Sequence, residues 1–136
     1  MQFNFFKNGK EVIPACVESV DDYPHLKIVK LKGCLDISTI QDMQLFLQNT
    51  KKKEDRINKS VLLDLKKVVD VDSAGIAGLV KVLSGLKQKN FKLGLMNIPE
   101  NLRGMLQILK LENVFFIFES EKKAFSEILA WSEEWD

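Results

Sequence analysis

VLLDLKKVVDVDSAGIAGLVKVLSGLK, residues 61–87, is the stretch around which the rest of the chain is arranged. It opens with Val61-Leu62-Leu63-Asp64-Leu65, a short and nearly continuous apolar run of the kind shown by a strand buried on both faces. Val68, Val69 and Val71 follow and lead into Asp72-Ser73-Ala74-Gly75. Beyond that turn, Ile76, Leu79, Val80, Leu83 and Leu86 recur at spacings of three and four, which predicts an amphipathic helix. Asp72 suits the N-cap, because its carboxylate can accept from the free backbone N–H groups of the first turn. Ser73 then begins the helix, with an accessible hydroxyl near the positive end of the helix dipole. A phosphate added there would be electrostatically tolerated.

On the N-terminal side, residues 25–35 read as a strand, with Val29, Leu31 and Leu35 on one face and Lys30 and Lys32 on the other. Gly33 within it suggests a bulge or a close backbone approach. Residues 3–6 and 11–17, joined through Asn8-Gly9, read as a hairpin whose second strand lies at an edge because it holds Pro14. Residues 21–24, DDYP, read as a turn. A helix follows Asp36, with Ser38 and Gln41 at capping-box spacing and Ile40, Met43 and Leu47 inward. The run 51–60, KKKEDRINKS, is a solvated loop, since Glu54 and Asp55 interrupt its positive charge.

On the C-terminal side, residues 91–96 form a strand, and Pro99-Glu100 open a helix through Lys110 with Leu102, Met105, Leu106 and Leu109 inward. Residues 114–118 are a strand, and Ser120 caps a last helix carrying Ala124, Phe125, Ile128 and Leu129. From Asp36 onward, helices and strands alternate, which implies right-handed crossovers and parallel strands. The expected fold is therefore a single α/β domain over residues 1–136. Its mixed, mostly parallel sheet and about four helices occupy residues 26–129, preceded by an N-terminal hairpin over residues 1–22.

The composition is that of an ordinary soluble domain, 46% apolar and 29% charged, with a net charge of +1 that argues against direct nucleic-acid binding. Residues 1–12 contain no basic leader followed by an apolar stretch, so no signal peptide is expected, and no segment is apolar over the length of a membrane helix. Cys16 and Cys34 form no CxxC pair and read as small buried hydrophobes in strands, weakly pointing to the cytoplasm.

Enzyme chemistry finds little support. His25 is the one histidine and reads as a surface or turn residue. The serine turn VDSAG lacks the first glycine of a nucleophile elbow. One histidine and two separated cysteines make a zinc site implausible, and neither a P-loop nor a dinucleotide fingerprint is present. Asp36, Asp64 and Asp72 could be brought together as carboxylates, but spacing alone does not make an acid–base pair. No catalytic residue, metal or cofactor is expected.

The helix after Ser73 carries a second signal. Opposite its core stripe a helical wheel places Ala74, Ala77, Gly78, Lys81, Gly85 and Gln88. Glycine in an exposed helix costs about 1 kcal/mol relative to alanine, and two lie on this face. Either a neighbouring helix packs close there, or the glycines are neutral, or the face is a flat docking surface with Ser73 at one end.

These stretches together resemble the STAS domain, the module of bacterial anti-sigma factor antagonists and of the cytoplasmic tails of sulphate transporters. Gly33-Cys34-Leu35-Asp36 resembles the family's G-x-L-D, and 61–65 followed by Val71-Asp72-Ser73-Ala74-Gly75-Ile76 resembles its strand and D-S-[ST/A]-G-[LI] turn. Residues 91–95 and 99–118 resemble the next strand and the helix–strand unit after it. The chain departs from the pattern in its longer N-terminal extension and in Ala74, where a second hydroxyl residue is common.

The resemblance implies a non-enzymatic binding module. Carried over from the antagonist branch, Ser73 would be the acceptor phosphorylated by an anti-sigma factor with serine kinase activity, the partner binding the ATP. A phosphatase acting on Ser73 would be a further partner. Asp36 and Asp72 would flank the acceptor, and Ala74, Gly75, Ala77, Gly78 and Lys81 would lie on the docking face. No direct contact with a membrane is expected. The alternative within the same family is a subunit of a larger assembly, such as a transporter accessory or stress-sensing complex, that docks without phosphorylation.

Overall fold

The computed structural model describes residues 6–7, 10–11, 15–24, 26–48 and 60–133. The Asn8-Gly9 turn, Pro14, His25, the loop at 51–59 and the side chains of Leu47 and Leu129 lie outside the described residues. A short hairpin, β1 (Phe6–Lys7) and β2 (Lys10–Glu11), pairs Phe6 with Glu11 and Lys7 with Lys10. The main sheet has five strands in sequence order: β3 (Val17–Tyr23), β4 (Leu26–Leu35), β5 (Ser60–Val71), β6 (Leu93–Met96) and β7 (Phe116–Phe118). β3 runs antiparallel to β4, and the remaining neighbours are parallel.

The expectation for residues 17–24 is corrected here. Residues 17–22, assigned to the hairpin extension, form the edge strand of the main sheet, and Asp21-Asp22-Tyr23 are strand rather than turn. Val17 is buried, Asp22 sits opposite Lys27, and the chain reverses only between Tyr23 and Leu26. An edge strand exposes one side, and a cross-strand pair of opposite charge is favourable there, so the acidic residues do not break it.

β5 is the centre of the domain. The apolar run and the second valine cluster make one 12-residue strand, with Val61, Leu63, Leu65, Val68 and Val71 in the larger core and Leu62 in the smaller. The connections α1 (Ile37–Gln48), α2 (Ser73–Gln88) and α3 (Glu100–Ile108) all advance across the sheet in one direction, so right-handed crossovers put them on one face. There Ile40 and Met43, Ile76, Leu79 and Leu83, and Leu102 and Leu106 pack with the sheet. The last helix, α4 (Glu121–Glu133), covers part of the opposite face, where Ala124 joins Leu26, Ile28, Leu62, Met96 and Phe118.

Local chemistry ends these elements where the sequence suggests. Gly33 adopts φ 78° at a register shift in β4, the bulge its type permits. Ser120 Oγ accepts from Lys123 N at 3.2 Å and caps α4. Two inward assignments change, because they lie at the edge of a helical stripe. Leu109 is 52% exposed just past the end of α3, and Phe125 is 42% exposed on α4. On α2 the half-buried Val80 packs against the core as expected, and Val82 is buried beside the expected stripe. Cys16 is buried in the turn before β3, but Cys34 is exposed.

Gly78 is buried, against its assignment to an open helix face. A Cβ built on it would lie 2.8 Å from Ile40 Cβ and closer still to Ile40 Cγ2, so α1 packs onto α2 at this point. At Gly85 an added Cβ would meet nothing within 4 Å. Gly78 and Gly85 therefore respond to alanine with opposite signs. Gly78→Ala should lower stability by about 1–3 kcal/mol through overpacking against a β-branched side chain. Gly85→Ala should raise it by up to about 1 kcal/mol through helix propensity. Urea unfolding of both variants measures this, and a stabilising Gly78→Ala would contradict the helix packing described.

Candidate functional site

The site forms where β4 and β5 end side by side. Leu35 and Val71 are register partners, so the turns that follow them, into α1 and into α2, emerge together. Asp72 N donates to Leu35 O at 3.2 Å and ties one turn to the other. Gly75 lies buried against the same carbonyl: a Cβ there would come within 3.0 Å of Leu35 C and nearer to its oxygen. Only glycine permits this approach, because the obstacle is backbone.

Asp72 caps α2 as expected, with extended backbone and Oδ1 accepting from Gly75 N at 2.8 Å. Ser73 is the first residue of the helix and is exposed. α1 is capped by Asp36 rather than by Ser38 and Gln41. Asp36 Oδ1 accepts from Ser38 N and Thr39 N, each at 3.1 Å, and from Ser38 Oγ at 2.9 Å. Thr39 Oγ1 accepts from Asp36 N at 2.8 Å, completing a reciprocal cap, and donates to Cys34 O at 2.9 Å. The backbone N–H of Thr39, and next the hydroxyl of Ser38, hold the Asp36 carboxyl below the usual carboxylate range. Two helix N-termini, each with a capping aspartate, thus point out of one edge of the domain.

Ser73, Asp72, Ala77 and Lys81 are exposed, and Ala74 and Asp36 are half-buried. Gly75 and Gly78 are buried, so they offer no surface to a partner; they set how closely α2 approaches β4 and α1. The exposed stripe running away from Ser73 is Ala77, Lys81, Ser84 and Gln88. The sequence reading passed over Thr39, whose place three residues after Asp36 is the signal that finds it, and Ile37, which is 61% exposed beside the cap. Burial pushes the Cys16 thiol up, with Asp42 adding to the shift, and its Sγ donates to Thr39 O at 3.4 Å. Among the described residues no group of three or more His, Cys, Asp or Glu side chains is placed to hold a metal ion, and no helix is long and apolar enough to cross a membrane.

The Asp36 cap makes stability depend on pH in a definite direction. A folded-state pKa below the unfolded value stabilises fully above the unfolded pKa, and the contribution is lost as pH falls through the folded one. Wild-type urea midpoints should therefore fall below about pH 4. In Asp36→Asn that part of the acid loss should disappear, with little change at neutral pH because asparagine also caps. An unchanged acid limb in the variant would contradict the carboxylate's role.

Similarity to known structures follows this geometry. A candidate anti-sigma factor antagonist from Thermotoga maritima superposes with a TM-score of 0.70 at 17% identity, covering 80% of this chain and 92% of that one. The phosphorylated Bacillus cell fate determinant SpoIIAA gives 0.63 at 14%, covering 81% and 97%. A sulfate transporter family protein from Wolinella succinogenes gives 0.62 at 16%, covering 94% and 98%. At such identities these likenesses concern the fold. The strand, D-S-A-G turn and helix described above fall within residues 19–124, which match the family model of the STAS domain. The chain therefore belongs to the STAS domain family.

Proposed function

We propose that this protein is an anti-sigma factor antagonist of a bacterial cytoplasm, a binding module that docks an anti-sigma factor with serine kinase activity and is released by phosphorylation of Ser73. The observation that carries this reading is the placement of Ser73: exposed, first in α2, and next to the capping carboxylate of Asp72. Ala77 and Lys81 continue the exposed stripe from it, and the Asp36 cap stands at the neighbouring helix N-terminus. The likeness to proteins named as anti-sigma factor antagonists, and to SpoIIAA in a phosphorylated form, supports it.

The physical consequence of the modification is a change of surface. Phosphate adds about −1.5 to −2 charges. At a helix N-terminus the dipole offsets this charge, so the fold is retained. A partner that covers Ser73 would have to desolvate a dianion beside Asp72, which weakens docking. The second reading, a subunit of a transport or sensing assembly that docks through this face without phosphorylation, draws on the Wolinella protein, whose likeness extends over 94% of this chain.

Incubation with a candidate kinase anti-sigma factor and ATP, followed by mass spectrometry, should place phosphate on the Ser73 peptide, and Ser73→Ala should abolish the label. Ser73→Asp should keep the melting temperature within a few degrees while abolishing partner binding. A demonstrably active kinase that binds the protein but leaves Ser73 unlabelled would sink the phosphorylation switch and leave the assembly-subunit reading.

A further inference from the structure

The face of the sheet opposite α1, α2 and α3 is only partly covered. α4 packs over Leu26, Ile28, Leu62, Met96 and Phe118 and leaves the carboxyl-terminal halves of β4 and β5 open. Parallel strands are ordinarily covered on both faces, and ligands of open α/β sheets bind near the carboxyl ends of the strands. A cleft of about 480 Å³ occupies the open part, within the range of small-molecule sites. Lys30, Asp64 and Lys66 line it, with Asn97 and Glu121 on the α4 side and the Glu18–Lys67 ion pair on the β3 side.

The polar groups in this cleft are unevenly satisfied. Asp64 is 8% exposed; its Oδ1 accepts from Lys66 N and from Asn97 Nδ2, both at 3.0 Å, and its second oxygen has no hydrogen bond among the described residues. Asn97, directly after β6, holds its amide there from a left-handed conformation, φ 56°. Such conformations concentrate where surrounding structure positions a group. Lys30 is half-buried in register with Asp64, and among the described residues neither Lys30 nor Lys66 forms an ion pair, whereas Lys67 is taken by Glu18. The cleft therefore offers two lysines outside any ion pair among the described residues and, between them, a carboxylate with one oxygen open to accept from a ligand.

We propose that this cleft binds a small hydroxylated organic anion. Its charged group lies on the ammonium groups of Lys30 and Lys66, and its hydroxyl donates to the open oxygen of Asp64. The site is separate from the Ser73 surface, which belongs to α2 on the other face of the sheet. The concave form, bounded by Asn97 and Glu121 on one side and Glu18 and Lys67 on the other, suits a small molecule better than a macromolecule.

Titration of the full chain followed by backbone amide NMR tests this, with glycerol 3-phosphate, inorganic phosphate and glycerol as separate probes. Glycerol 3-phosphate at millimolar concentration should move the amides of Lys30, Asp64, Lys66 and Asn97, with a weaker response to phosphate and none to glycerol. Lys30→Gln and Lys66→Gln should each weaken binding by about tenfold or more, as loss of a charged donor does, while Lys87→Gln on α2 should leave it unchanged. The proposal is overturned if glycerol 3-phosphate leaves those amides in place, or if both cleft variants bind as tightly as the parent. A response to phosphate equal to that of glycerol 3-phosphate would overturn the hydroxyl's assignment to Asp64.

Discussion

The carbonyl of Leu35 is the point on which this structure turns. It accepts the backbone N–H of Asp72 from one side and lies against the bare Cα of Gly75 from the other. β4, β5 and α2 meet at that oxygen, so the C-terminal ends of two parallel strands and the start of the helix after the second are locked into one unit. The contact leaves no room for a side chain, and Gly78 repeats the constraint one turn later, where Ile40 of α1 seats against the helix. Close packing of α2 onto its neighbours leaves its opposite stripe facing outward. That is why Ser73, Ala77 and Lys81 share one exposed surface.

The same constraint keeps both helix caps at the surface. Asp72 and Asp36 spend their carboxylates on helix caps, through Gly75 N in one case and Ser38 N and Thr39 N in the other. Each cap stabilises its helix while leaving the terminus at the edge of the domain, where charge can be added without entering the core. Under the proposed function, a phosphate on Ser73 would change this surface and leave Leu79, Leu83 and Leu86 undisturbed in the interior.

Much of this was legible in residue order. The run 61–65, the D-S-A-G turn and the apolar stripe of α2 each carry a local signal tied to one element, and each stands, with Val82 added to the stripe. The errors share a physical cause. The end of β3, Asp21-Asp22-Tyr23, reads as a turn because Asp21 and Asp22 are poor strand formers by themselves, and only pairing with β4 makes them strand. Leu109 and Phe125 were placed inward because periodicity locates a stripe but not its width, which depends on what packs against it. The cleft around Asp64 was not legible at all, since Lys30, Lys66, Asn97 and Glu121 come from separate elements.

By itself, the sequence determined the alternation of helices and strands, the central buried strand and the caps at Asp72 and Ser120, because these follow from periodicity and from hydrogen bonds between near neighbours. It also determined that Ser73 begins a helix. Only the tertiary structure decided which glycines of α2 have room for a side chain. Gly78 and Gly85 look alike on a helical wheel, yet one is filled by Ile40 from a different helix and the other faces open space. The wheel knows the angle of a residue about its own axis. Whether a neighbour stands at that angle is settled by sheet order and crossover direction, which bring α1 beside α2 and leave the exposed stripe narrower than residue types alone implied.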